Sequence, residues 1–200
     1  MQRRTLLAAT LSPLTLALPG CAALGMGGWT PLVDGASMTM NSFAGWGQLG
    51  QGNWSVVDGT LQGKDGKMGY LVSPQSYSDF EIRAEFWADA NCNSGIFIRC
   101  QDPKKVGADN SYEVNIFDKR PDPSYGTAAI VDFAKAPTPY PQAADKWNTF
   151  EITARGDQLV VVFNGQKTVD IRNSKYRAGP VAMKSAGGNI RWCKVLIRDV

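Results

Sequence analysis

The chain contains no histidine. That absence removes Ser-His-Asp and Cys-His nucleophilic catalysis, histidine-ligated zinc and imidazole acid–base chemistry. Any reaction must run on carboxylates, Lys, Arg, Tyr or Cys. Cysteine is scarce: Cys21, Cys92, Cys100 and Cys193 are the only four, and no pair has the CxxC spacing of a metal site. No window carries a convincing helical period, with a single turn over Asn173 to Tyr176 the only candidate. No apolar run reaches the ~20 residues that cross a bilayer. Blocks of like charge are missing too, which argues against nucleic acid as a partner, since such binding needs a clustered basic field.

What is present begins with an N-terminus built unlike the rest. Arg3 and Arg4 precede an uncharged, leucine-rich stretch from Thr5 to Leu18. A short apolar run behind a positive start is the pattern of an export signal. Leu18-Pro19-Gly20-Cys21 resembles the lipobox of bacterial lipoproteins, with Pro19 an unusual occupant of its slot. The resemblance implies cleavage before Cys21 and a lipid on its thiol. The other reading is a secretory signal without lipid, cut near Ala22 or Ala23. Gln2-Arg3-Arg4-Thr5-Leu6-Leu7 also resembles a twin-arginine motif, an export address rather than an anchor. Residues 1–20 are thus expected to be a signal peptide, 21–28 a tether and 29–200 a single domain. Of the 21 bases, removal of Arg3 and Arg4 leaves 19 against 18 acids, a net charge of +1. The expected location is the cell envelope, with the protein lipid-anchored at the outer membrane or the periplasmic face, because Ala22 rather than Asp follows the cysteine.

The mature chain reads as about a dozen short β-segments. Its 21 glycines and 11 prolines are spread between short apolar runs, the texture of an all-β domain rich in turns. Trp54 to Val57 and Thr60 to Gln62 flank an Asp58-Gly59 turn. Leu159 to Phe163 and Thr168 to Ile171 flank Asn164-Gly165, the strongest short-range hairpin signal. From Phe80 to Phe86, apolar residues alternate with Glu81, Arg83 and Glu85, so one face is core and the other meets water. Tyr70 to Val72, Ser94 to Arg99, Tyr112 to Phe117, Thr127 to Asp132 and Ile190 to Val200 are further strands. Many short strands with regular turns mean a sandwich or a barrel.

Beyond Cys21, three cysteines remain, an odd number. Cys92 and Cys100 flank one strand and would lie ~26 Å apart, beyond disulfide reach. A Cys100–Cys193 bridge and three small buried thiols both stay open.

Two strands have an apolar face and a chemically mixed one. Asn93, Gly95, Phe97 and Arg99 share a side, as do Glu113, Asn115 and Phe117. Amides, a carboxylate, a guanidinium and an aromatic ring are what a sugar site needs, for paired hydroxyl contacts and for the C–H face of a pyranose. Gly95 leaves room for close backbone approach. The plainer reading is a cross-strand Arg99–Glu113 ion pair on a solvated sheet. The segment from Lys119 to Gln142 is long and rich in Pro and aromatics, fitting either a binding wall or a cap over a sheet edge. Among the tryptophans, Trp54, Trp87, Trp147 and Trp192 suit a core, whereas Trp46, between Gly45 and Gly47, is the outlier.

The order of Trp29 to Gly35, Trp54 to Leu61, Asp79 to Phe86, Asn93 to Arg99, Tyr112 to Ile116, Lys146 to Ile152 and Phe163-Asn164-Gly165 resembles the 3-keto-disaccharide hydrolase family over residues 29–200. The resemblance implies a concanavalin A-like jelly roll of two antiparallel sheets, and activity on glycosides oxidised at C3. In that chemistry a carboxylate removes the C2 proton acidified by the ketone, and the C1 substituent is eliminated. The resemblance then casts Glu113 as base and Arg99 as the group that stabilises the developing oxyanion or orients the substrate. Asn93, Asn115, Phe117, Asp118, Tyr125 and Lys135 become substrate contacts. Asp118, Lys135 or Tyr125 would protonate the leaving group. No cofactor is called for, and room is left for a divalent metal. The partners expected are a 3-keto sugar and, through Cys21, a membrane. One departure stands out. Where family members carry Leu-Gln-Asp-His-Gly, this chain has Met183-Lys184-Ser185-Ala186-Gly187, with Lys184 in the Gln slot and Ala186 in the His slot. Lys184 therefore joins the substrate contacts. Two rivals remain: a non-catalytic carbohydrate-binding lipoprotein, and a structural envelope protein.

Overall fold

The computed structural model describes residues 28–64 and 66–200. The expected signal, Cys21 and the tether up to residue 27 lie outside the described residues. Thirteen strands follow: β1 (Thr30–Asp34), β2 (Gly47–Gly50), β3 (Asn53–Val57), β4 (Thr60–Lys64), β5 (Gly69–Tyr77), β6 (Phe80–Ala88), β7 (Ser94–Ile98), β8 (Tyr112–Ile116), β9 (Lys146–Arg155), β10 (Gln158–Phe163), β11 (Gln166–Arg172), β12 (Gly179–Ser185) and β13 (Ile190–Asp199). Two 3-10 turns, Met40–Phe43 and Pro123–Tyr125, are the helical elements of the described residues. No described helix is long and apolar enough to cross a membrane.

The strands form two antiparallel sheets. The larger runs β11-β10-β9-β6-β13-β4-β3, with β1 also on β13. The smaller runs β2-β5-β12-β7-β8. The all-β sandwich is thus as expected. Both hairpin signals hold for a backbone reason. Asp58 and Gly59 (φ 48° and 67°) and Asn164 and Gly165 (φ 48° and 78°) take the paired positive φ that matches a tight turn to strand twist.

The alternation in β6 is kept in full. Phe80, Ile82 and Phe86 are sealed in the core. Phe86 stacks on Phe150 with ring centroids 5.2 Å apart and lies 5.3 Å from Trp192. The smaller sheet closes the core with Ile96, Ile98, Val114, Ile116, Val181 and Met183. Each fully buried side chain of this size contributes about 1.5–3 kcal/mol by transfer from water, so this layer fixes how the two sheets sit.

Several expectations are corrected. Thr127 to Asp132 is not a strand. Ala128 and Asp132 have positive φ (67° and 65°), which breaks an extended path. The segment turns back on β8 instead, with Ala128 N–H donating to Asn115 O and Val131 N–H to Glu113 O. The long segment therefore caps the edge strand of the smaller sheet. Asn173 to Tyr176 makes no helical turn, because Asn173 takes the Tyr112 hydroxyl on its own carbonyl and side chain. Cys92 and Cys100 are buried free thiols, so no Cys100–Cys193 bridge forms. Trp87 and Trp147 face outward from the larger sheet as a cross-strand pair rather than entering the core.

Candidate functional site

The outer face of the smaller sheet carries two cross-strand rows. One reads Leu49, Tyr70, Lys184, Gly95, Asn115; the next reads Gly47, Val72, Ala182, Phe97, Glu113. Val72, Phe97 and Ala182 form a second apolar cluster, closed from outside by Cys100 and Val106 of the β7–β8 connection. The face is therefore not an open solvated sheet. Its charged groups sit in a partly roofed, low-dielectric setting.

Lys184 and Glu113 meet there. Lys184 Nζ donates to Glu113 Oε1, and the side chains are 8% and 7% exposed. The two residues are not on adjacent strands. Lys184 is on β12, Glu113 on β8, and β7 runs between them, so their backbones lie two strand spacings apart, about 10 Å. The side chains bridge that gap above Gly95. A Cβ on Gly95 would stand 2.8 Å from Val114 O and 3.5 Å from Glu113 Oε1. Glycine spares the β8 backbone a clash, while the Glu113 carboxylate lies at ordinary contact distance above it. Lys184 Nζ also lies 5.6 Å from the Phe97 ring centroid, within cation–π range.

Beside the pair, Asn115 is fully buried. Its Nδ2 donates to Tyr125 O at 2.9 Å, while its Oδ1 has no partner among the described residues. Asn93 Oδ1 is likewise buried and unpartnered. A buried acceptor left unpaired costs about 1–3 kcal/mol, so each of these oxygens would gain from a donor. Tyr70 stands directly across from Lys184 with its ring edge-on to Phe97 at 5.5 Å. Burial first, and the Glu113 charge second, push its hydroxyl up to about 12.

Arg99 is not part of this constellation. It has φ 55° at the end of β7, which turns its side chain off the strand alternation. Its guanidinium is fully buried and donates to Ser78 O, Gly156 O, Tyr176 O and Asp79 Oδ1. It clamps three loops together, and Asp79 is its charge partner. The cation on Glu113 is Lys184. Asp118 is also committed elsewhere. Its oxygens accept from Ala143 N–H, Ala144 N–H and the Thr127 hydroxyl, a staple that closes the long segment at both ends. Lys135 is exposed, with Nζ 5.6 Å from the Tyr125 ring; Tyr125 supplies its carbonyl to Asn115. Phe117 is half-buried just past β8. The structure thus brings together Glu113, Asn115 and Lys184 and sets Asn93 at the end of β7. It moves Arg99 and Asp118 into structural roles. Tyr70 was missed because Tyr70-Leu71-Val72 reads only as a short apolar strand, and nothing local reveals that it lies opposite Lys184.

Trp46 packs edge-on against Phe43 at 5.4 Å. It lines a separate crevice of about 660 Å³ with Tyr77, Asp34 and Gln75. Among the described residues, no group of three or more His, Cys, Asp or Glu is placed to hold a metal.

Two facing antiparallel sheets with polar chemistry on an outer face define a lectin-like sandwich. The model of the 3-keto-alpha-glucoside-1,2-lyase-like domain matches residues 28–198, and the chain belongs to that family. Similar solved structures include a protein of Parabacteroides distasonis proposed to be a glycosyl hydrolase, with TM-score 0.71, 18% identity, and coverage of 87% of this chain and 94% of that one. The carbohydrate-binding module CBM66 of Bacillus subtilis gives TM-score 0.59 and 18% identity, covering 78% of this chain and 96% of that one. A Bacillus subtilis protein of unknown function with a galectin-like fold gives 0.64 and 12%, covering 84% and 96%. No curated protein matches the chain.

Proposed function

We propose that this protein cleaves the glycosidic bond of 3-keto-glycosides by elimination, on the outer face of its smaller sheet. The observation that carries the reading is the buried Glu113–Lys184 pair above Gly95, in a chain of the 3-keto-glucoside lyase-like family. In a 3-keto sugar, the acidic C2–H and the C3 carbonyl oxygen are on neighbouring atoms. A carboxylate and an ammonium in direct contact offer a proton acceptor and a positive donor at the same spacing. Glu113 takes the C2 proton, and Lys184 holds the negative charge that develops on the C3 oxygen. The unpaired acceptors of Asn115 and Asn93 orient the ring hydroxyls.

Ala186 in the family's histidine slot favours a second reading, a carbohydrate-binding protein without turnover. Incubating the protein with 3-keto-trehalose and analysing the products separates the two. Release of glucose, abolished by Glu113→Gln, is expected. Measurable sugar binding without any turnover would select the second reading. Neither binding nor turnover would defeat both.

The leucine-rich start and Leu18-Pro19-Gly20-Cys21 support anchoring at the cell envelope through a lipid on Cys21. Cys21→Ser is expected to move the protein from the membrane fraction to the soluble one; an unchanged distribution would overturn the anchor.

A further inference from the structure

We infer that Tyr70 protonates the departing glycosidic oxygen, an assignment that rests on the elimination reading above. That reading needs three groups: a base, a cation for the enolate and an acid for the leaving group. Glu113 and Lys184 fill two of these roles. Of the acids suggested by the sequence, Asp118 and Lys135 do not fill the third, and Tyr125 meets the face through its backbone carbonyl, which accepts from Asn115. Asp118 spends both oxygens on three donors. Lys135 lies exposed over the Tyr125 ring, outside the sheet face.

Tyr70 is on the face itself. Phe97 forms a floor with three groups around it. The Tyr70 ring meets it edge-on at 5.5 Å, Lys184 Nζ lies 5.6 Å from its centroid, and Glu113 is its cross-strand neighbour. Among the described residues, the Tyr70 hydroxyl donates to the Met68 thioether at 3.6 Å. A thioether is a weak acceptor, so the phenolic proton is free to go to a better one. Met68 is largely exposed, which puts the hydroxyl at the mouth of the face, where an aglycone would leave. Burial and the Glu113 charge keep the phenol protonated at neutral pH. It is then an acid close in strength to a sugar alcohol, and it gives its proton only as the C–O bond breaks.

The step balances. Glu113 takes the C2 proton, and the C–H electron pair becomes the C2–C3 double bond of an enolate held by Lys184. When the enolate collapses, the C3 carbonyl re-forms and a C1–C2 double bond appears. The C1–O bond breaks with its electron pair on oxygen. Tyr70 supplies the proton to that oxygen, giving a free alcohol and an unsaturated 3-keto sugar. The phenolate, beside the Lys184 ammonium, recovers its proton from the Glu113 carboxyl through solvent. No oxidant or reductant is required.

An acid matters most when the leaving group is poor. The test compares wild type with Tyr70→Phe on methyl 3-keto-α-glucoside and p-nitrophenyl 3-keto-α-glucoside. Tyr70→Phe is expected to lower kcat on the methyl glycoside by at least about 100-fold and on the nitrophenyl glycoside by less than about 3-fold. The ring still fills its place on Phe97, so the melting temperature should not change. Equal losses on both substrates, or no loss on the methyl glycoside, would overturn the assignment. A wild type that cleaves neither substrate would instead bring down the elimination reading itself, a result distinct from either.

Discussion

Lys184 and Glu113 form their ion pair across a whole intervening strand, and Gly95 is the residue beneath the bridge. Each charge is buried and has the other as its ionic partner, so the pair must act as a unit. Removing one partner of such a pair leaves a lone buried charge, which costs about 3–5 kcal/mol, whereas replacing both by apolar groups costs far less. Lys184→Met and Glu113→Leu are each expected to lower unfolding stability by that amount. The double variant should lose much less than the sum. A double-mutant cycle by urea denaturation reads the coupling.

Gly95→Ala should act on the same pair from below. Its Cβ would be 2.8 Å from Val114 O, a backbone atom that cannot step aside. Overpacking of this kind costs about 1–3 kcal/mol, and it falls on β8, the strand that carries Glu113. Lower stability together with loss of sugar cleavage or binding is the expected outcome. An alanine variant with native melting and native activity would show that the space is not needed.

Arg99 gives the contrasting case. Its donors hold Ser78, Gly156, Tyr176 and Asp79, and none reaches Glu113. Arg99→Lys keeps the charge but loses the fork of donors. It should be destabilised by several kcal/mol, since hydrogen bonds to a charged group contribute about 1.5–3 kcal/mol each. Below its lowered melting point, its activity per folded molecule should match wild type. A loss of activity with stability intact would put Arg99 back in the site.

Cys92 and Cys100 set the alkaline limit. Burial raises both thiols to about 12, well above the value in an unfolded chain. Between these two values the folded state holds protons that the unfolded state has released. Stability is therefore fully present below about pH 8.5 and falls as the pH rises from there toward 12. Tyr70 acts in the same direction at higher pH, above about 10. Replacing both thiols by Ala should flatten the decline measured by denaturation between pH 8 and 11. For the same reason neither thiol should react with a disulfide reagent at pH 8 until the protein unfolds.

Much of the architecture is legible locally. The alternation from Phe80 to Phe86, the Asp58-Gly59 and Asn164-Gly165 turns, and the mixed faces at Asn93, Gly95 and Phe97 and at Glu113 and Asn115 depend on period-two geometry and turn chemistry alone. Those rules act within a few residues, so they survive folding unchanged. The failures have local causes as well. Positive φ at Ala128 and Asp132 turned an expected strand into a cap. The same conformation at Arg99 took a guanidinium off the face where alternation had put it.

The sequence by itself determined an all-β chain, the faces of its strands, the absence of imidazole chemistry and the residue types a sugar face would offer. Only the tertiary structure decided which of them meet. Lys184 is 71 positions from Glu113, and Tyr70 is farther still from Lys184. Their meeting depends on the strand order β5-β12-β7-β8, which no local pattern encodes. Register between distant strands is set by the whole core closing at once, and that closure paired Glu113 with Lys184 rather than with Arg99.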